Sequence, residues 1–130
     1  RRMLKKSSGQ SLIEVVIAIG ILGVALVGVV AGSLFALKAA RISRERSVAR
    51  LLVDKKIEEV RIVKDKDPEA FFALANRTET ETNETQLAYT IKTTYTTQIV
   101  NQTMKVAVEV TWIDGGIEYS VEQNTILAKL

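Results

Sequence analysis

The chain has 130 residues, room for one domain beside a membrane helix. It contains no cysteine and no histidine, so disulfides, thiolate metal sites, a catalytic thiol and the commonest general base are all excluded. The net charge of +3 hides a polarised chain: residues 38–66 carry ten basic and five acidic side chains, residues 67–130 four and nine. Such a dipole is unlike a uniformly basic nucleic-acid binder, and the inventory speaks against an enzyme.

Arg1 to Ser8 is a polar, basic leader with Arg1, Arg2, Lys5 and Lys6; the expected start is Met3, or the chain is a fragment. Removing residues 1–9 would leave 14 basic against 15 acidic side chains. From Val15 to Leu37 there follow 23 residues without a charge. As a helix they measure about 34 Å, which matches a bilayer core of about 30 Å with modest tilt. Glu14 heads this run, inside the apolar pattern begun by Leu12 and Ile13. A carboxylate at that depth costs on the order of 2.5–3.5 kcal/mol unless paired, and no cation shares its helix face. The partner is expected from outside the helix. Lys and Arg flank the run on both sides, so the positive-inside count does not decide the orientation. A cleaved secretory signal ending near Ala31-Gly32-Ser33 is disfavoured, because its apolar core would be too long and would contain Glu14.

Between Lys38 and Lys66 no glycine or proline stops the helix. Ile42, Ala49, Val53, Ile57, Val60 and Val63 draw an apolar stripe on a charged surface. One helix from about Ser11 to Lys64 is expected. The arginine-rich stretch 41–50 reads as a solvated helix face, with anionic headgroups or neighbouring subunits as the other candidates. Asp67-Pro68-Glu69 signals a second helix start, running through Phe71, Phe72 and Leu74. Asn76 to Gln86 is polar and reads as a loop. It holds N-x-T triplets at Asn76 and Asn83, with a third at Asn101; only Asn83 has an acid, Glu81, two residues earlier.

From Tyr89 the period becomes two. Tyr89, Ile91, Thr93, Tyr95, Thr97 and Ile99 alternate with polar residues, as do Val106, Val108, Val110 and Trp112. An Asp114-Gly115 turn pairs Trp112 with Ile117, Val110 with Tyr119 and Val108 with Val121. An Asn101-Gln102 turn pairs Ile99 with Met104, Tyr95 with Val108 and Ile91 with Trp112. Both registers gather the apolar residues on one face. The expected fold is α+β: a long N-terminal helix, membrane-spanning in its first half and amphipathic in its second, packed on a three-stranded antiparallel meander. Trp112 is expected between Ile91, Ile117 and the helix. Glu109, Glu118 and Glu122 fall on the solvent face, and no catalytic constellation, metal site or cofactor site appears.

Lys5-Lys6-Ser7-Ser8-Gly9, followed by Gln10-Ser11-Leu12-Ile13-Glu14-Val15-Val16, resembles the processing site of type IV pilins and the related pseudopilins. The resemblance covers about thirty residues, with leader, glycine, acid and apolar run in the family's spacing. It implies cleavage by a prepilin peptidase between Gly9 and Gln10, N-methylation of Gln10, and pairing of Glu14 with the N-terminus of a neighbouring subunit. It further implies a leader over 1–9, an assembly half of the helix over 10–37, an amphipathic half over 38–66 and a small C-terminal domain over 67–130. The implied partners are the peptidase, other pilin or pseudopilin subunits, an inner-membrane assembly platform and the lipid bilayer; DNA as a ligand has no support in the sequence. The implied location is the cytoplasmic membrane with the C-terminal domain outside, then a surface filament or pseudopilus, and the short C-terminal domain favours a minor subunit. This chain departs from the family's usual pattern at Gln10, where Phe or Met is common, in lacking a proline late in the run, and in lacking a C-terminal disulfide. The competing reading is a non-assembling single-pass protein whose β module binds a partner or ligand.

Overall fold

A computed structural model describes residues 8–84, 88–99 and 102–129. The chain divides into two compact units, Arg1–Ile42 and Ser43–Leu130. The long helix α1 (Ser8–Lys66) contributes to both.

In the first unit every residue from Ser11 to Arg41 is helical and exposed. Leu12, Ile21, Val24 and Phe35 are 67, 66, 76 and 78% exposed. A soluble protein does not leave so much contiguous apolar surface in water, and the helix is long and apolar enough to cross a membrane. Residues 1–7, the greater part of the expected leader, lie outside the described residues.

The second unit holds the rest of α1, the short helix α2 (Pro68–Phe72) and four strands: β1 (Thr78–Glu84), β2 (Ala88–Ile99), β3 (Thr103–Asp114) and β4 (Ile117–Ala128). The strands form one antiparallel sheet in the order β1-β2-β3-β4. α1 ends where the sequence places the stop. Asp67 precedes Pro68 and is extended, at φ −146° and ψ 86°, as a pre-proline residue prefers. Its carboxylate accepts from the Ala70 N–H at 3.1 Å, capping α2 as expected. Asn76, at φ 61°, then turns the chain into the sheet.

The meander has four strands, not the expected three. The segment read as a loop supplies β1, which pairs along its whole length with β2, from Thr78↔Thr94 to Glu84↔Ala88. No apolar residue marks this strand. Its signal is threonine, β-branched and suited to a pleated surface, alternating with polar partners. Glu79 and Glu81 sit opposite Thr93 and Ile91, on the core side, while Thr78, Thr80 and Thr82 face outward.

Both hairpin registers differ from expectation by two residues. Gly115 and Gly116, at φ 58° and 79°, are the central pair of the β3–β4 turn, so Asp114 pairs with Ile117 and Trp112 with Tyr119. A turn with φ > 0 at both central positions fits two glycines better than Asp-Gly. Tyr95 pairs with Val106 and Ile91 with Val110, and a bulge lies between Thr97 and Ile99. Asn101 lies outside the described residues. A slip of two keeps side chains on their faces, so the apolar face is the expected one as far as Thr97; beyond the bulge Ile99 pairs with Thr103 rather than Met104 and is exposed.

The core lies between that face and α1. Ala49, Val53, Ile57 and Val60 of the stripe are buried with Tyr89, Ile91, Tyr95, Met104, Val106, Val108, Val110, Trp112 and Leu127, and α2 adds Phe71 and Phe72. Ile42 is only half-buried, and Val63 and Ile117 are exposed. Thr93 is 1% exposed, and among the described residues its hydroxyl has no hydrogen-bond partner. An unmade hydrogen bond in a core costs the desolvation of the group. Thr93→Val, which keeps the shape, is therefore expected to raise stability by roughly 1 kcal/mol. A denaturant midpoint at or below that of the wild type would contradict this.

Candidate functional site

The residues singled out by the sequence fall in the first unit. Gly9 and Gln10 lie within the helical span of α1. Glu14 is exposed one turn further on, and among the described residues it has no cationic partner. Exposed Leu12, Ile13, Val15 and Val16 surround it along the helix. An acid set in an apolar helix is costly in lipid and gains only from a cation delivered by another molecule or by a cut that creates a new amine.

The second unit contains a buried polar cluster that the sequence reading missed. Glu45 is 5% exposed, and its carboxylate accepts from the Trp112 indole N–H at 3.1 Å. Trp112 stacks on Tyr119 with ring centroids 5.6 Å apart and meets Tyr89 at 5.9 Å. Burial raises the Tyr89 phenol above its ordinary value, and the nearby Glu45 charge adds to the effect. The available signal was spacing. Glu45 stands four residues before Ala49, in step with Val53 and Ile57, and a buried indole needs an acceptor.

On the opposite edge, Lys56 bonds Glu81 and lies 3.8 Å from Glu59. The Tyr95 hydroxyl donates to Glu79 at 3.2 Å. Burial first, then the Glu79 charge, push this phenol up to about 12. A phenol raised above its unfolded value of about 10 binds its proton more tightly in the folded state. Its contribution is complete below pH 10 and is lost as pH rises towards 12. Tyr95→Phe is expected to flatten the fall in stability over that window, read from denaturant midpoints across the alkaline range. An equally steep fall in the variant would locate its cause elsewhere.

These clusters tie helix to sheet. They do not assemble a nucleophile, base and oxyanion donor around one point. Glu118 and Glu122 are exposed on the outer face, and Glu109, directly opposite Glu122, is half-exposed.

No curated protein and no solved structure matches the chain. Residues 4–30 match a family described as the prokaryotic N-terminal methylation motif. That span contains Gly9, Gln10 and Glu14 and most of the exposed apolar helix. The chain therefore carries at its N-terminus the signature of the type IV prepilins, with a membrane-type helix behind it.

Proposed function

We propose that the chain is a structural subunit of a type IV filament or of a secretion-type pseudopilus, and a minor one. A prepilin peptidase removes residues 1–9, Gln10 becomes the methylated N-terminus, and Glu14 pairs with the terminal amine of an adjacent subunit on the assembly platform. The mature chain waits in the cytoplasmic membrane with its sheet unit outside, then enters the filament. The observation that carries this reading is the exposed, charge-free helix headed by one acid, five residues past the glycine of the matched motif. An acid at that depth is costly unless a partner meets it, and the amine of an adjacent subunit would supply one.

The test is the mature N-terminus. The peptidase must bring backbone close to its catalytic groups, so a β-branched residue at the cut blocks entry. Gly9→Val is expected to abolish cleavage and leave a membrane-bound precursor, whereas the wild type starts at Gln10 by mass spectrometry. A wild-type chain that keeps its leader in the source cell would favour the single-pass alternative.

A further inference from the structure

We propose that Arg44, Arg46 and Arg50 form a docking surface for the anionic phospholipid headgroups of the bilayer that holds the chain, an inference that rests on the membrane-anchored reading above. All three are exposed on the first turns of the helix in the second unit. The single acid among residues 43–53 is Glu45, and it is turned inward and bonded to Trp112. The exposed side of this stretch therefore presents three cations before the first outward acid, Asp54.

Two further features choose the lipid over other anions. The first is reach. Ser43 follows Leu37, the last residue of the charge-free run, by six positions. That spans at most about 22 Å of extended chain and about 9 Å as helix. Arg44 and Arg46, about 11 and 14 Å past Leu37 as helix, are then within side-chain reach of a headgroup layer that extends several ångströms beyond the hydrocarbon, and tilt of the helix brings Arg50, about 20 Å along, towards it. The second is the company the arginines keep. Val48 and Leu51 are 37 and 68% exposed, and with Arg44 they follow the spacing i, i+4, i+7 of one helix face. Apolar residues beside Arg44 suit the boundary between headgroups and acyl chains, where the cation snorkels to phosphate, while Arg46 and Arg50 lie further round the exposed side. They are poorly matched to the carboxylates of a neighbouring copy. The surface would hold the second unit against the membrane before assembly, and transfer to a filament would require its release.

The chain has no cysteine, so Ser47→Cys places one spin label amid the three arginines. The full chain is reconstituted in vesicles of phosphatidylcholine alone or mixed with phosphatidylglycerol, and access of a water-soluble nickel complex to the label is measured. Access is expected to be several-fold lower in the mixed vesicles, and high salt should restore it. Each of Arg44→Gln, Arg46→Gln and Arg50→Gln should weaken the preference for the anionic vesicles about fivefold. Arg61→Gln, at a position that pairs with Glu58, should leave it unchanged. Unchanged Trp112 fluorescence verifies the fold of each variant.

Equal access in both vesicle types overturns the proposal. Protection that follows protein density rather than phosphatidylglycerol content also overturns it and assigns the arginines to neighbouring subunits. A chain that alkaline carbonate strips from both vesicle types overturns the anchoring reading, and the proposal with it.

Discussion

Trp112→Ala is expected to lower the stability of the sheet unit by about 3–5 kcal/mol, most of what a unit this small possesses. The indole is 1% exposed and fills the space between Tyr89, Tyr119 and α1. Its removal opens a cavity and takes a hydrogen bond from the buried Glu45 carboxylate. The two costs can be separated. Trp112→Phe keeps a ring but loses the N–H, and about 1–3 kcal/mol of the effect should remain. Amide exchange along β3, measured on the full chain in detergent, reads both variants against the wild type. Protection of Val108 and Val110 that survives the alanine substitution would mean the helix-on-sheet core is drawn wrongly.

Glu14→Leu is expected to leave cleavage and membrane insertion intact while sharply reducing entry into filaments. In the membrane the lone carboxylate is a liability, relieved by protonation or by position near the headgroups. In a filament it would meet an amine that exists only after Gly9 is removed. Much of the attraction would offset desolvation, so such a pair would set register between subunits as much as it would add stability. Glu14→Asp should be intermediate, because the shorter arm does not reach. The quantity to measure is the ratio of protein in sheared filaments to protein in membranes. Equal ratios for wild type and Glu14→Leu would end the pairing role and favour the single-pass alternative.

The elements that announce themselves by apolar period were legible in the sequence. The helical stripe, the Asp67-Pro68 stop and the alternation from Tyr89 to Trp112 each specify a face, and the structure buries those faces. Register was less legible, because a turn centred one residue later moves the pairing by two and leaves the pattern of faces unchanged. β1 was not legible at all. Thr78 to Glu84 has no apolar residue, and its strand state depends on the edge that β2 offers. Glu45 was hidden for the opposite reason. A charged residue in a basic stretch reads as solvated, and the bond it accepts from Trp112, 67 residues along the chain, is not local. Gly9, Gln10 and Glu14 stand out by local spacing, and the matched motif spans them, whereas nothing in the sequence names what would cover the apolar helix.

The outer strand of the sheet has a bearing on how the protein behaves in a crowd. β1 turns Glu79 and Glu81 inward, held by Tyr95 and Lys56. A foreign strand that zipped onto this rim would have to strip water from both acids while gaining few backbone hydrogen bonds along seven residues. On that side, the carboxylate that fastens the sheet to its helix and the one that ties β1 to β2 also keep the rim from templating fibrous growth where many copies meet.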